Sequence, residues 1–261
     1  MAQQVNIHPT ALVDPAAKIG VRVTVGPYSV IGPEVSVGDG CTIDSHVVLS
    51  GHTALGRDNR IFSHNAIGGV PQDLKYKGEP TRLEIGDGNT FREFMTVNLG
   101  TEGGGGVTRI GNGNLFMAYV HIAHDCMVGN QVILANAVTL AGHVVVEDGA
   151  VVGGVSAVHQ FTRIGTLAMI GGCSAVDQDV PPFCMAIGNR VSLRGLNLVG
   201  LKRAGWSREQ IRDIKEAYGE LFTGDRPIAE SVRVVRERWA DDAHIGHLIT
   251  FIEASERGVC R

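Results

Sequence analysis

The segment HIAHDC, residues 121–126, gathers side chains that could do chemistry. His121 and His124 stand three positions apart, and Asp125 follows the second histidine directly. A histidine near a carboxylate can remove a substrate proton at physiological pH. The same residue types can hold zinc, or they can pack and form hydrogen bonds without reacting. The residue types alone leave all three interpretations open.

The composition excludes several classes of protein. The 261 residues carry a formal net charge of −4, which argues against general nucleic-acid binding. The start of the chain lacks a cationic stretch followed by an apolar run, and no run of 18 apolar residues occurs, so we expect no signal peptide and no membrane span. The five cysteines are scattered and form no C-x-x-C pair. This usage is typical of reduced thiols and predicts a cytoplasmic location.

A repeat of six residues runs through most of the chain. Ile, Leu, Val or Phe occupies every sixth position in three runs, 26 positions in all, within residues 7–67, 85–97 and 110–176. A glycine often follows the aliphatic residue, and the fifth position of the hexad is usually small or β-branched, which suits turns and short strands. The period does not fit a helix. It predicts a mainly β fold, a parallel β-helix in which three hexads form one triangular coil and stacked coils share a core.

Two segments interrupt the six-residue period, and a third segment without hexads begins where the period ends. Residues 71–82 and 101–106 contain no aliphatic residues in phase, and we predict external loops there. Loops of this kind often serve a site. The hexads stop before residue 190, so we divide the chain into a solenoid at 1–190 and a small α-helical domain at 191–261.

The helical domain is predicted from capping and spacing. Ser207 and Gln210 have the spacing of a capping box. Apolar residues then recur at helical spacing within residues 211–221, 228–239 and 245–252. The pattern predicts three helices.

The coil geometry brings distant histidines together. Residues 18 apart lie on one face, so the hexads that contain His124, His143 and His159 stack on one another. With a strand spacing of about 4.8 Å, these histidines would form a stripe roughly 10 Å long. His121 would stand at the corner that leads into this face. Four histidines in three coils favour a functional groove over histidines that are merely solvated or packed.

Longer motifs resemble a known family. The hexad pattern resembles the hexapeptide acyltransferases, and this resemblance implies a left-handed β-helix. The motifs HIAHDC, LAGHV and GGCSAV in the solenoid, QDLKYKGEPTR in the first loop and GLKRAG in the helical domain resemble those of the UDP-N-acetylglucosamine O-acyltransferases over essentially the whole chain. The resemblance implies transfer of an (R)-3-hydroxyacyl chain from acyl carrier protein to the 3-hydroxyl of UDP-N-acetylglucosamine, the first step of lipid A biosynthesis. It also implies a homotrimer with sites between neighbouring solenoids, and no metal or other cofactor.

The resemblance also assigns roles to matching residues. His124 would be the general base on the sugar 3-hydroxyl, and Asp125 would orient it. The Gly142 amide would face the thioester oxyanion, His143 would line the reaction centre, and Gly172 would form a wall of the acyl groove. Further substrate-binding positions are Gln72, Asp73, Lys75, His121, His159, Gln160, Met169, Asn197 and Arg203. The acidic carrier would dock on the basic residues Arg194, Lys202, Arg203, Arg208, Arg212 and Lys215.

Three alternatives to this function stay open from the sequence. Zinc-dependent carbonic anhydrases with hexapeptide repeats resemble the chain in fold only, and their paired ligands are spaced more widely than His121 and His124. Asn98 stands where many members of the family have histidine, and Val199 and Ala204 also depart from the family pattern. An acceptor sugar with a 3-amino group is therefore the second alternative. A structural or ice-binding solenoid is the third, and the irregular outward residues and the two loops disfavour it.

Overall fold

Short strands make up most of the chain. The computed structural model describes residues 5–224 and 226–261, and in that part of the chain it contains 28 strands. In chain order the strands are β1 (Asn6–Ile7), β2 (Leu12–Val13), β3 (Lys18–Ile19), β4 (Thr24–Val25), β5 (Val30–Ile31), β6 (Ser36–Val37), β7 (Thr42–Ile43), β8 (Val48–Leu49), β9 (His52–Leu55), β10 (Arg60–Ile61), β11 (Ala66–Gly69), β12 (Arg82–Ile85), β13 (Thr90–Phe91), β14 (Thr96–Asn98), β15 (Val107–Ile110), β16 (Leu115–Phe116), β17 (His121–Ile122), β18 (Met127–Val128), β19 (Ile133–Leu134), β20 (Thr139–Leu140), β21 (Val145–Val146), β22 (Val151–Val152), β23 (Ala157–Val158), β24 (Arg163–Ile164), β25 (Met169–Ile170), β26 (Ala175–Val176), β27 (Cys184–Ile187) and β28 (Ser192–Leu196).

Within the described residues, every third strand from β1 to β26 pairs in parallel, which produces three sheets. At the end of sheet A, β27 pairs in parallel with β25, and β28 pairs with β27 in the antiparallel direction. Sheet A runs β1-β4-β7-β10-β13-β16-β19-β22-β25-β27-β28, sheet B runs β2-β5-β8-β11-β14-β17-β20-β23-β26, and sheet C runs β3-β6-β9-β12-β15-β18-β21-β24. The chain passes from A to B to C and back to A in each coil. We call the turns between them the A–B, B–C and C–A corners. The predicted parallel β-helix with three hexads per coil is confirmed.

The six-residue period marks the core. The aliphatic residue of each hexad points inward and is buried, except in the first coil, where Ile7 is 41% exposed and Val13 and Ile19 are partly exposed. Strands β1, β2 and β3 end their sheets, so this coil packs against a neighbour on one side only. The residue before each buried aliphatic points outward, as the two-residue alternation of a strand requires.

The corners share an unusual backbone conformation. The third residue after the buried aliphatic repeatedly adopts a left-handed φ, and Asp125 (φ 60°), His143 (φ 61°) and Phe161 (φ 63°) are three such residues. This conformation costs free energy in residues other than glycine. It lets the chain turn from one sheet to the next within a few residues. It also places the corner side chains of successive coils above one another.

Two loops leave the solenoid at the breaks in the period. Residues 70–81 connect β11 to β12, and residues 99–106 connect β14 to β15. The second loop contains a 3-10 helix, Glu102–Gly104. Both loops follow a strand of sheet B, so they emerge on the side of the B–C corner.

In the part of the C-terminal region that the structure describes, there are four helices. They are α1 (Leu198–Arg203), α2 (Arg208–Phe222), α3 (Ile228–Arg238) and α4 (Ala243–Glu253). The capping box of α2 forms as predicted, because Ser207 accepts from the Gln210 N–H and Gln210 accepts from the Ser207 N–H. The short helix α1 has no sequence period and was not predicted. Among the described residues, no helix has the length and apolar character needed to cross a membrane.

Candidate active site

The predicted catalytic residues lie at the B–C corner of two successive coils. His124 and Asp125 form the turn that leads from β17 to β18, and Gly142 and His143 form the same turn between β20 and β21. Strands β17 and β20 pair in parallel, which stacks the two turns. The His143 N–H donates to the His124 carbonyl at 3.0 Å. The structure therefore brings all four predicted catalytic residues together.

His124 and Asp125 form a hydrogen-bonded dyad. His124 Nδ1 lies 2.7 Å from Asp125 Oδ2, and the two side chains are 13% and 1% exposed. A carboxylate can only accept a hydrogen bond, so Nδ1 carries a proton. The lone pair of Nε2 is then free in the neutral ring, and this nitrogen can take a proton from a substrate.

The loop of residues 99–106 holds the carboxylate of the dyad. The Thr101 N–H donates to Asp125 Oδ1 at 2.8 Å, and the Thr101 hydroxyl donates to Oδ2 at 2.6 Å. The Asp125 N–H donates to Thr108 Oγ1 at 2.8 Å. Asp125 is therefore fixed through both carboxylate oxygens and through its backbone.

Gly142 lies against the imidazole of His124. A Cβ atom at this position would lie 2.5 Å from His124 Cε1 and 2.7 Å from Nε2, which is closer than real contacts allow. Among the described residues, the Gly142 N–H has no hydrogen-bond acceptor. A free backbone donor beside a base can stabilise negative charge that develops on a substrate oxygen.

His143 packs in an aromatic stack above the dyad. Its ring lies edge-on to His124 at 5.1 Å between centroids and parallel to Phe161 at 4.4 Å. Burial lowers the pKa of the His143 imidazole below its ordinary value, while the charge of Asp125 acts in the opposite direction. The ring is therefore neutral at physiological pH.

A pocket of about 520 Å³ opens beside this stack. Asp73, Lys75 and Tyr76 of the first loop line one side, and Glu102 of the second loop lines another. His143 and Phe161 form part of the wall. Lys77 also lines the pocket, which thus offers carboxylates, two ammonium groups and aromatic rings to a polar ligand.

The predicted stripe of three histidines is wrong at its third member. His143 stacks on Phe161, whereas His159 is exposed and its Nδ1 lies 3.1 Å from the Gln160 carbonyl. The physical reason is that residues 18 apart occupy the same position in successive coils. Residue 161, and not residue 159, lies 18 positions after residue 143 and therefore occupies the same corner position. The stack reads Asp125, His143 and Phe161 in successive coils.

His121 lies next to the dyad but outside this stack. It is the first residue of β17, not a corner residue, and its Nδ1 lies 2.7 Å from Thr96 Oγ1. Burial lowers the pKa of His121, and the nearby His124 acts in the same direction. Like His143, it is neutral at physiological pH.

The remaining predicted substrate-binding residues fall into three places. Gln72 and Gln160 are exposed on the side of the B–C corner. Met169 points outward from sheet A, and Gly172 lies at the A–B corner, across sheet B from His124. The other two lie at helix α1 and are Asn197, its N-cap residue, and Arg203, in its last turn.

Asn197 and Asn98 have local structural contacts. Asn197 accepts from the Gly200 N–H at 3.0 Å and donates to the Leu167 carbonyl at 2.9 Å. Asn98, which departs from the family pattern, is buried and donates to the Val70 carbonyl at 3.0 Å at the base of the first loop. Its Oδ1 has no partner among the described residues.

Sequence reasoning missed Phe161 and Thr101. The repeat itself contained the signal for Phe161, because it stands 18 residues after His143. No signal pointed to Thr101, because it lies in a loop outside the repeat and reaches Asp125 across 24 residues of chain.

The same side chains have the residue types of a metal site. His124, Asp125 and His143 offer ligand atoms that all lie within 4.8 Å of one another. The 2.7 Å separation of His124 Nδ1 and Asp125 Oδ2 is a hydrogen-bond distance. Two ligands of a tetrahedral zinc ion, each about 2.0–2.1 Å from the metal, would lie more than about 3 Å apart. The geometry therefore fits a shared proton better than a metal ion.

Two family models match the chain. One, described as bacterial transferase hexapeptide (six repeats), matches residues 16–51 and 108–142. The other, described as UDP N-acetylglucosamine O-acyltransferase, domain 2, matches residues 179–260.

Curated relatives and solved structures cover nearly the whole chain. An acyl-[acyl-carrier-protein]–UDP-N-acetylglucosamine O-acyltransferase of Aliarcobacter butzleri is 55% identical over 97% of both chains. One of Herminiimonas arsenicoxydans is 53% identical over 98% of this chain and 99% of its own. The structure of LpxA from Acinetobacter baumannii superposes with a TM-score of 0.95 at 44% identity, covering 98% of this chain and 99% of its own. These matches confirm the left-handed β-helix with a C-terminal helical region.

Proposed function

The chain belongs to the family of acyl-[acyl-carrier-protein]–UDP-N-acetylglucosamine O-acyltransferases, and on this premise we propose how its residues carry out the reaction. The enzyme transfers an (R)-3-hydroxyacyl chain from acyl carrier protein to the 3-hydroxyl of UDP-N-acetylglucosamine, the first step of lipid A biosynthesis. The relatives are named O-acyltransferases, so neither an amino acceptor nor a zinc-dependent reaction is favoured.

The proposed mechanism rests on the dyad of His124 and Asp125, which lies beneath the Gly142 amide. His124 Nε2 removes the proton of the sugar 3-hydroxyl, while Asp125 keeps the Nδ1 proton in place and balances the charge of the imidazolium. The sugar oxygen attacks the thioester carbonyl carbon, and the carbonyl oxygen gains negative charge that the Gly142 N–H stabilises. The carbon–sulfur bond then breaks, and the thiolate of the carrier takes the proton from His124. The base is neutral again and the ester is complete.

The pocket beside His143 is the proposed site of the nucleotide sugar. Lys75 supplies a positive charge for the diphosphate, and Asp73 accepts hydrogen bonds from sugar hydroxyls. Neutral His121 and His143 donate or accept hydrogen bonds without adding charge near the base. Gln72, His159 and Gln160 complete this side of the site.

A second chain completes the site in this proposal. Met169 and Gly172, proposed to form the acyl groove, and Asn197 and Arg203, proposed to bind the nucleotide, lie on the A–B side or in the helical domain. His124 lies at the opposite edge of sheet B. In a trimer with three-fold symmetry, the A–B edge of one subunit meets the B–C edge of the next, and each interface forms one site.

The outer surface of sheet B supports this trimer. Its outward residues carry no charged group, since they are Leu12, Val30, Val48, Ala66, Thr96, His121, Thr139, Ala157 and Ala175. Along the A–B corner five exposed rings stack at centroid distances of 4.9–5.2 Å, and they are Tyr28, His46, His64, Phe94 and Tyr119. Uncharged surface and exposed aromatic rings are typical of an interface core.

The proposed location is the cytoplasm. The five free cysteines in the structure are typical of a reducing compartment, and the proposed donor is an acyl carrier protein.

A single substitution tests the role of His124. His124→Ala should lower turnover by about 10²–10⁴-fold, the usual contribution of a positioned base, which corresponds to about 3–5 kcal/mol at the transition state. Binding of UDP-N-acetylglucosamine, measured by calorimetry, should change much less, because the proposed diphosphate contacts lie elsewhere. A folded, nucleotide-binding variant with more than about a tenth of wild-type turnover would assign the base to another residue.

A further inference from the structure

The loop of residues 99–106 reaches the base through the carboxylate of Asp125. Thr101 donates two hydrogen bonds to this group, one from its backbone and one from its hydroxyl. The hydroxyl bond ends on Oδ2, the same oxygen that accepts from His124 Nδ1. Thr101 and Asp125 are 8% and 4% exposed, so water does not compete freely for these bonds.

Gly104 brings the loop into close contact with the same carboxylate. A Cβ atom on Gly104 would lie 2.1 Å from Asp125 Cγ and 2.3 Å from each carboxylate oxygen. Only a residue without a side chain fits there while Asp125 keeps its place. The glycine therefore covers the carboxylate from one side while Thr101 binds it from another.

The loop does not need Asp125 to keep its shape. The Thr101 carbonyl accepts from the Gly106 N–H at 2.8 Å and from the Gly104 N–H at 3.1 Å, which closes the loop on itself. Its first residues are anchored elsewhere, since the Leu99 N–H donates to the Gly69 carbonyl at 2.9 Å. The two bonds to Asp125 are additional to this framework and act on the dyad.

We propose that Thr101 is a positioning residue for the base: its hydroxyl keeps the Asp125 carboxylate oriented so that His124 holds its proton on Nδ1. The inference rests on the proposed role of His124. Without the hydroxyl, Oδ2 loses one donor and the carboxylate can rotate away from His124. The imidazole then populates the tautomer with the proton on Nε2, which cannot accept the sugar proton.

Thr101→Val tests the hydroxyl alone, because valine keeps the branched shape and the backbone bond to Oδ1. Turnover should fall by about 10–100-fold, by analogy with the outer groups that orient a metal-bound histidine. The KM for UDP-N-acetylglucosamine should change by less than about threefold, because the hydroxyl is directed at Asp125 and not at the sugar. Thr101→Ser keeps a hydroxyl and should recover most of the turnover.

The tautomer of His124 separates positioning from a merely structural role. In the wild-type protein, ¹⁵N NMR of the imidazole should show the proton on Nδ1, and in Thr101→Val a mixture of both tautomers. The control is Thr162→Val, because Thr162 is buried and its hydroxyl has no partner among the described residues. This variant should match wild type in both measurements.

Different outcomes identify which proposal fails. If Thr101→Val keeps wild-type turnover and an Nδ1 proton while His124→Ala is inactive, the role of Thr101 is wrong and the role of His124 stands. If His124→Ala is active, the base itself is wrongly assigned. If Thr101→Val does not fold, Gly104→Ala displaces Asp125 without removing the hydroxyl, and unchanged turnover in that variant would overturn the inference.

Discussion

A methyl group at position 142 would occupy space that the His124 ring already fills. The ideal Cβ position is 2.5 Å from Cε1 of the imidazole. The ring cannot move away toward Asp125, because its Nδ1 already lies at hydrogen-bond distance, 2.7 Å, from Asp125 Oδ2. Gly142→Ala should therefore displace His124 or its own N–H and lower kcat at least about tenfold, with little change in nucleotide binding. Steady-state kinetics and calorimetry measure the two effects.

Gly219→Ala is the matched control for that substitution. Gly219 lies in α2, and its Cβ would meet nothing closer than Thr223 Oγ1 at 3.9 Å. Its kinetics should be unchanged, and its stability should rise by up to about 1 kcal/mol because alanine favours the helix. A Gly142→Ala variant as active as this control would show that the contact with His124 is unimportant.

At the residue scale, the position of a residue within its hexad determines which contacts the sequence can predict. His124, Asp125, Gly142 and His143 could be placed together because the repeat brings residues 18 apart into contact. His159 was placed by its hexad and not by its position within it, so it was wrongly stacked on His143. Contacts made by loops have no such rule, and Thr101 could be found only in the structure.

The strands of the solenoid were predictable because their period directly reflects burial. The buried aliphatic residue of each hexad lies in a short strand, which is two residues long in most coils, and the corner conformation repeats with it. The path of the loops at 70–81 and 99–106 was not predictable, since it depends on single hydrogen bonds between polar groups. Helix α1 escaped detection because six residues are too few to show a helical period.

At the scale of single elements, the basic side chains of helix α2 are expected to dock the acyl carrier protein. Arg208, Arg212 and Lys215 point to solvent on this helix, and Arg212 already pairs with Asp213 at 2.8 Å. Arg208→Glu and Lys215→Glu should therefore weaken docking most, and raise the KM for the carrier by roughly tenfold at low salt. The effect should shrink as ionic strength rises, because salt screens exposed charges.

Arg233→Glu on α3 provides the control for a change of charge alone. Arg233 is exposed and outside the predicted docking residues, and its variant should keep the wild-type KM for the carrier. Equal effects of all three variants would indicate a general influence of net charge. Transfer that is equally fast at low and high salt would exclude electrostatic docking on α2.

At the scale of the whole molecule, the proposed site residues of one chain are separated by the width of a sheet. His124 stands at the B–C corner and Gly172 at the A–B corner, and no rearrangement of side chains can bring them together. A solenoid buries only its interior, so the uncharged outer face of sheet B and the exposed Phe94 and Tyr119 rings need another surface to cover them. A trimer satisfies both requirements with one interface, repeated three times.

Subunit mixing tests the trimer and the shared site together. His124→Ala destroys the proposed base, and Gly172→Met should block the acyl groove for long donor chains, so each variant alone should be inactive with a long donor. In co-expressed mixed trimers, an interface is intact when the subunit that supplies His124 carries Gly172→Met and the neighbour that supplies Gly172 carries His124→Ala. Random mixing in equal amounts makes about one interface in four intact, so about a quarter of wild-type activity should return.

Light scattering should show a trimer in every sample. A site contained within one chain would give no recovery, and a monomer at micromolar concentration would exclude the assembly.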